Sequence, residues 1–188
     1  MRELSLHILD IVQNAIVADS SIIEIIIDEQ VNQNKLQFLV KDNGKGMDEE
    51  TLRVVVDPFH TSRTSRKVGL GIPLLKEAAE QSGGGIDIVS KKGVGTTVKA
   101  WFEYNHIDRA PLGSMVETMQ VLILSNPDID FVYKHQADKN EFIVDTREIK
   151  KVLAGVAIDD IEVVSWLTAY LDEGINSLYG GASYENNC

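Results

Sequence analysis

A short glycine-containing turn, Asp42-Asn43-Gly44-Lys45-Gly46-Met47, follows a run of apolar residues and constrains the fold more than any other part of the chain. Two further motifs accompany it. Asp10 and Asn14 precede it at a spacing of one helical turn, and Gly69-Leu70-Gly71 follows it. Each motif alone recurs by chance, whereas three in this order restrict one another. They predict a single site for a nucleotide.

The turn after Asp42 has the groups that an adenine ring requires. A carboxylate at a strand end accepts a hydrogen bond from an exocyclic amine, and Gly44 and Gly46 let the backbone approach a flat ring without an intervening Cβ. Adenine offers both the amine and the ring, so the turn through Met47 predicts an adenine position. A plain strand-to-helix turn is the alternative interpretation, because Asp-Asn-Gly is common in turns.

Gly69, Leu70 and Gly71 come immediately before a predicted helix. The start of a helix presents free N–H groups and positive potential to an anion, which predicts phosphates at this point. The chain contains no GxxxxGK[ST] sequence and no third glycine of a dinucleotide fingerprint. A phosphate site here is therefore neither a P-loop nor a Rossmann site.

Asn14 and Asp10 share one face of the first predicted helix. The amide oxygen of Asn14 suits Mg²⁺, which prefers oxygen ligands and bridges phosphates. Asp10 lies one turn earlier, where it would orient or deprotonate a nucleophile near the terminal phosphate. A solvated polar face is the alternative. His7 is not expected to be a phosphoacceptor, because a rigid helix lining the pocket gives it little freedom to reach the phosphate in line.

Residues 61–68 are Ser, Thr, Arg and Lys with a single valine, which predicts a mobile loop. Arg63, Arg66 and Lys67 would neutralise phosphate charge if this loop closed over the nucleotide. A solvated basic loop without that role is the alternative.

The apolar pattern predicts a mixture of helices and strands. Helical spacing covers residues 3–18 and 71–81, and β-branched or alternating runs predict paired strands at 21–27 with 36–40 and at 86–90 with 96–102. A proline and a glycine near 105–113 predict a boundary between two domains, 1–105 and 106–188. The elements expected in the second are a helix at 114–124, strands at 129–133 and 141–144, and helices at 146–154 and 159–178.

Together the motifs resemble the ATPase superfamily shared by DNA gyrase, MutL and the sensor histidine kinases, across residues 1–104. The resemblance implies an α+β fold for this part, a two-layer α/β sandwich with a mostly antiparallel sheet. The residue pattern alone predicts the small α+β unit that follows, which matches no known domain. The resemblance also implies ATP and Mg²⁺ as cofactors, a catalytic role for Asp10 and a magnesium ligand at Asn14. The ATP-binding residues that it implies are Asn14, Asp42, Gly44, Gly46, Met47, Thr61, Arg63, Lys67, Gly69, Leu70, Gly71 and Thr97.

Two departures from the family bear on function. Gyrase-like ATPases have Glu where this chain has Asp10, and aspartate is one methylene shorter. Sensor kinases have Asn there and a helical hairpin upstream, which nine residues before Asp10 would not accommodate. Three functions remain open: a stand-alone kinase-type catalytic domain acting on a separate protein, an ATP-driven switch with slow hydrolysis, and a nucleotide-binding module without turnover. The residue at position 10 bears on the choice among them, because the step from ATP binding to turnover depends on Asp10.

The charge of the chain limits its partners. A formal net charge of −11 argues against a general electrostatic grip on nucleic acid or an anionic membrane and favours a protein partner. Residues 107–188 carry 14 acidic and 6 basic side chains, so this segment is the more acidic one. The single cysteine, Cys188, and the absence of a signal peptide or a long apolar run predict a cytoplasmic protein. The sequence does not indicate an oligomeric state.

Overall fold

Six strands form one sheet, with helices packed on one of its faces. A computed structural model describes residues 2–56 and 71–180. The helices are α1 (Leu4–Val17), α2 (Glu49–Val56), α3 (Gly71–Gln81), α4 (Met115–Ser125), α5 (Thr146–Val152) and α6 (Ile161–Leu178). The strands are β1 (Ile22–Gln30), β2 (Lys35–Asp42), β3 (Gly85–Lys91), β4 (Gly95–Glu103), β5 (Asp130–Ala137) and β6 (Asn140–Asp145).

The strands lie in the order β3-β4-β2-β1-β5-β6. Neighbouring strands are antiparallel except β1 and β5, which run parallel. The predicted α+β fold with a mostly antiparallel sheet is therefore confirmed. None of the described helices combines the length and the apolar character needed to cross a membrane.

Alternation within the strands decides which face is covered. In β1 the side chains of Ile23, Ile25 and Ile27 are fully buried, whereas the residues between them are partly exposed. Successive side chains of a strand point to opposite faces, so one face of the sheet carries the core. The apolar stripe of α1, from Leu4 to Ala15, packs into the same core.

The second predicted segment extends the sheet of the first. Strand β5 pairs with β1 along eight positions, from Ile22 opposite Asp130 to Glu29 opposite Ala137. Helix α4 contacts both α1 and α6, so the helical layer is continuous as well. The described parts of residues 1–105 and 106–188 thus share one sheet and one core.

Candidate nucleotide-binding site

Asp42 occupies the last position of β2, at the end of the sheet where β1 begins. It lies opposite Ile23 of β1 and Thr96 of β4. The oxygen Oδ1 accepts a hydrogen bond from the Gly44 amide at 2.8 Å. The Ser20 hydroxyl shares its one hydrogen between Oδ1 at 3.1 Å and the Ala15 carbonyl oxygen at 2.7 Å. These contacts orient the Asp42 carboxylate, with the Gly44 amide as the main donor. Preorganised polar groups of this kind set the orientation of a small ligand.

The glycines of the turn permit close backbone contacts with α1 and with β3. A Cβ on Gly44 would lie 2.6 Å from the carbonyl oxygen of Ala18, at the end of α1. Gly46 has φ +58°, and a Cβ there would overlap the carbonyl oxygen of Lys91. The Lys45 amide also donates to Ala18 O at 2.8 Å. These contacts hold the turn against the end of the first helix.

Gly46→Ala tests how much this close approach matters. Alanine at a positive φ costs about 1 kcal/mol, and the overlap with the Lys91 carbonyl raises the expected loss of unfolding free energy to at least about 2 kcal/mol. Gly93→Ala is the matched control, because Gly93 has φ +77° with no heavy atom within 4 Å of its Cβ position. Urea unfolding of both variants measures the difference. Equal losses would contradict a steric role for Gly46.

Ser90 joins Met47 to the two strands at the edge of the site. Its hydroxyl oxygen accepts from the Met47 amide at 2.8 Å and shares a hydrogen bond with the Thr96 hydroxyl at 2.9 Å. Thr96 faces Asp42 across β2 and β4, whereas Thr97 pairs with Lys41. Because side chains alternate along a strand, Thr97 points to the face opposite that of Asp42.

The structure therefore brings Thr96, and not Thr97, to the side of the sheet that carries Asp42. Sequence reasoning missed Thr96 and Ser90. The signal for Thr96 was available in the alternation of β4, where Val98, Ala100 and Phe102 are buried and share the parity of position 96. The same alternation in β3 points to Ser90, because Ile86 and Ile88 pack against the core, whereas Val89, between Ile88 and Ser90, is exposed.

Asp10 and Asn14 both lie on the exposed side of α1, four residues and about 6 Å of helical rise apart. The carboxylate of Asp10 approaches the start of α3 so closely that a Cβ on Gly71 would lie 2.6 Å from Asp10 Oδ2. The glycine at position 71 therefore permits contact between the first helix and the beginning of α3. The carboxylate of Asp10 thus lies at the start of α3, and the amide of Asn14 lies one turn further along the same face of α1.

His7 lies on α1 one turn before Asp10 and is 1% exposed. Neither ring nitrogen has a hydrogen-bond partner among the described residues. Burial is the main cause that lowers the pKa of His7 below its usual value. The imidazole is therefore neutral at pH 7 and buried, which suits a packing residue better than a phosphoacceptor.

Five predicted ATP-binding residues, Thr61, Arg63, Lys67, Gly69 and Leu70, lie outside the described residues. Their assignment stays a prediction. Within residues 2–56 and 71–180, no three His, Cys, Asp or Glu side chains form a group that could hold a metal ion. An ion at this site would depend on Asn14 and on oxygens of the nucleotide.

Comparison with known proteins identifies the family. Residues 2–106 match the family of histidine kinase-, DNA gyrase B- and HSP90-like ATPases. The chain belongs to this family. The resemblance inferred from the three motifs is thereby confirmed, and residues 2–106 contain every described residue of the candidate site.

Individual relatives of this ATPase family cover less of the chain. The sensor histidine kinase YvrG of Bacillus subtilis is 32% identical over 85 residues, which are 43% of this chain and 14% of that protein. The sensor histidine kinase ZraS of Escherichia coli is 31% identical over 78 residues, 42% of this chain and 17% of that protein. The chain thus spans less than a fifth of the length of these relatives.

A solved structure shows the same fold over more of the chain. The N-terminal domain of a DNA repair protein superposes with a TM-score of 0.52 at 16% identity, covering 77% of this chain and 52% of that one. This likeness extends beyond the residues of the family match. At such low identity it describes the fold alone.

Proposed function

We propose that this protein binds ATP with Mg²⁺ at the end of the sheet marked by Asp42 and acts as a kinase-type catalytic domain on a separate protein. The observation that carries the proposal is the Asp42 carboxylate, which Ser20 and Gly44 hold in one orientation at the end of β2. Membership of the ATPase family supports the same site.

The adenine end follows from the acceptor chemistry of Asp42. Its carboxylate accepts the hydrogen bond of the exocyclic amine, while the backbone of the glycine turn lies against the ring. Thr96, on the same side of the sheet as Asp42, supplies a hydroxyl near that end. This pose favours adenine over guanine, which carries an oxygen at the corresponding ring position.

The phosphate end lies between α1 and the start of α3. Asn14 would hold Mg²⁺ through its amide oxygen, the kind of ligand that this ion prefers, and the ion would neutralise charge on the phosphates. Asp10, the proposed catalytic residue, is exposed on the same helix face. The contact of Asp10 with Gly71 positions its carboxylate at the start of α3.

Asp10 decides between transfer and hydrolysis. In the kinase-type reaction a nucleophile on the partner forms a bond to the terminal phosphorus, and the bond to the bridging oxygen breaks as ADP leaves. In hydrolysis water takes the nucleophile's place, and Asp10 accepts its proton. The position of Asp10 against the start of α3 favours the second candidate, an ATP-driven switch with slow hydrolysis.

Incubation of the purified chain with γ-labelled ATP and Mg²⁺ separates the candidates. Label on a protein added from a cell extract supports the kinase, and free phosphate that disappears in Asp10→Asn supports the switch. If ATP raises the melting temperature of the chain but neither labelled protein nor free phosphate forms, the protein is a nucleotide-binding module without turnover.

Asn14→Ala tests the phosphate end in the same assay. Loss of one magnesium ligand is expected to weaken Mg-ATP binding at least about tenfold while leaving binding of ATP in EDTA nearly unchanged. Gln13→Ala is the control, since Gln13 is an exposed amide one position earlier on α1. Equal affinity of Asn14→Ala and Gln13→Ala for Mg-ATP would contradict the assignment.

The partner is proposed to be a protein, in keeping with the net charge of −11. The cytoplasm is the proposed compartment, because a reducing environment agrees with a sequence that has one cysteine.

A further inference from the structure

Four residues of helix α6 are spaced four positions apart: Glu162, Trp166, Tyr170 and Gly174. Residues at this spacing are neighbours on one helix face. The rings of Trp166 and Tyr170 stack with centroids 5.3 Å apart and planes inclined by 7°. One face of the indole is therefore covered by Tyr170, and Glu162 lies one helical turn from Trp166 in the opposite direction along the helix.

A third ring joins these two rings from the edge of the sheet. Phe142 of β6 packs against Gly174 so closely that a Cβ there would overlap its ring, and the Phe142 and Tyr170 centroids are 5.4 Å apart. We call Phe142, Tyr170 and Trp166 the aromatic row. It begins at β6, the last strand of the sheet, and ends on the exposed side of α6. Packing at both ends holds Tyr170 in place.

The aromatic row is open to solvent where it ends. Trp166 is 51% exposed and Tyr170 is 39% exposed. Single exposed aromatic residues are ordinary on a protein surface. Two rings that are stacked, preorganised and exposed together present a flat surface whose binding requires little further loss of side-chain entropy.

The charged side chains that α6 itself carries are all acidic. Exposed carboxylates at Glu162, Asp172 and Glu173 lie on α6, and none forms a salt bridge with another described residue. No lysine or arginine follows Lys151 in the sequence. The helix therefore has no cation of its own to place on the indole or beside Glu162.

We propose that the aromatic row and Glu162 form a docking site for an arginine-bearing segment of a partner protein. The guanidinium stacks on the free face of Trp166 and donates hydrogen bonds to the Glu162 carboxylate one helical turn away. Arginine is preferred over lysine because its planar group stacks on an aromatic face and pairs with a carboxylate at the same time. The remaining carboxylates of α6 attract further basic residues of the same segment.

This site does not depend on the proposed nucleotide site. It lies at the β6 edge of the sheet, whereas Asp42 ends β2, with β1 and β5 between them. Its occupant is argued from charge complementarity and from the free indole face. Either proposal would stand if the other failed.

The test is a titration of a fluorescein-labelled peptide of alternating arginine and serine with the full chain, followed by fluorescence anisotropy. Saturable binding of this peptide is expected. Binding should be several-fold weaker for a peptide in which lysine replaces arginine, and absent for a peptide in which glutamate replaces arginine. Trp166→Ala and Glu162→Gln should each weaken binding roughly five- to tenfold. The double variant should lose less affinity than the product of the two single fold-losses, because both residues contact the same guanidinium.

Three variants serve as controls. Trp166→Phe keeps an aromatic face and should retain most of the affinity, which separates loss of the ring from loss of the fold. Asp87 and Val89 are exposed on β3, at the opposite edge of the sheet. The variants Asp87→Asn and Val89→Ala should therefore bind the arginine peptide as the unchanged chain does. Thermal unfolding verifies that each variant is folded.

Two outcomes would overturn the proposal. The first is equal affinity of the unchanged chain and a folded Trp166→Ala variant for the arginine peptide. The second is concentration-dependent self-association in sedimentation that Trp166→Ala abolishes, since the aromatic row would then be covered by a second copy of this chain.

Discussion

His135→Ala is expected to lower the free energy of unfolding by about 3–5 kcal/mol at pH 7. His135 is fully buried, and its Nε2 lies 2.8 Å from Oε1 of Glu29, which is 5% exposed. Its Nδ1 lies 2.8 Å from the Tyr133 hydroxyl, and the Tyr179 hydroxyl donates to Glu29. Alanine would leave the buried Glu29 carboxylate without its histidine partner, with the Tyr179 hydroxyl still donating to it. Desolvation of such a group makes the substitution costly.

A double variant distinguishes a broken pair from lost packing. Glu29→Met with His135→Leu removes both polar groups at similar volume and should cost less than either single substitution to alanine. Glu24→Gln is the exposed control: its ion pair with Lys41, at 3.2 Å, joins side chains that are 37% and 53% exposed. It should change the unfolding free energy by less than about 1 kcal/mol. If His135→Ala lost no more unfolding free energy than Glu24→Gln, a structural role of the Glu29–His135 pair would be contradicted.

The pH dependence of this effect has a defined sign. Burial alone would raise the pKa of Glu29, but hydrogen bonds from His135 and Tyr179 outweigh it and hold the pKa below its usual value of 4.5. A carboxyl whose pKa is lowered by folding stabilises the protein above its unfolded pKa and loses that contribution as the pH falls through the folded value. The difference in unfolding free energy between the unchanged chain and His135→Ala should therefore narrow as the pH falls below 4.5, as measured by urea unfolding.

The position of this cluster explains why nucleotide binding should survive the substitution. Glu29 lies six residues along β1 from Ile23, the partner of Asp42, which corresponds to roughly 20 Å of strand. The cluster joins β1 of the family-matching region to β5 and to the residue after α6. It stabilises the attachment of the second segment without contacting the candidate ATP site.

Asp42→Asn is expected to weaken ATP binding at least about a hundredfold while leaving the fold intact. Asparagine keeps an oxygen to accept from Ser20 and from the Gly44 amide, so the turn should persist. It replaces the other carboxylate oxygen by an NH₂ group, which places a donor against the donor of adenine. A hydrogen bond to a charged group contributes about 1.5–3 kcal/mol, and an unpaired buried donor adds to the loss.

Isothermal titration and thermal unfolding measure this change. At an ATP concentration a hundred times above Kd, binding raises the unfolding free energy of the unchanged chain by about 2.7 kcal/mol. A variant that binds ATP a hundredfold more weakly gains only about 0.4 kcal/mol at the same concentration. Discrimination against GTP should also fall in the variant, because the amide NH₂ can donate to the guanine oxygen. Ser20→Ala, which removes one orienting donor, should weaken ATP binding by less. Unchanged ATP affinity of Asp42→Asn would show that adenine binds elsewhere.

Local sequence patterns predicted most elements of the fold. The helical stripe of α1 and the alternation of β1 and β2 indicated which residues are buried, because burial in these elements follows a fixed spacing. Strands β5 and β6 were also predicted as a pair. Their place in the sheet was not, since the partner of β5 is β1, more than a hundred residues earlier, and no local pattern records that pairing.

The candidate site residues were assigned from single elements, and their roles in binding stay predictions. Asp42 and Gly44 were assigned from the chemistry of one turn, and Asp10 and Asn14 from their spacing on one helix face. Thr97 was assigned from the resemblance of its strand start, whereas the register of β4 places Thr96 on the side of the sheet that carries Asp42. The contact of Asp10 with Gly71 joins two helices and has no signal in either one.

The spacing of residues within single elements was thus sufficient for the order of the elements, and the resemblance of three motifs was sufficient for the family. Only the folded chain brings Glu29 to His135 across 106 positions, and only there do Trp166 and Tyr170 become an exposed row beside the edge strand. The reason is physical: a helix or strand expresses its periodicity locally, whereas pairing and exposure depend on what the rest of the chain covers.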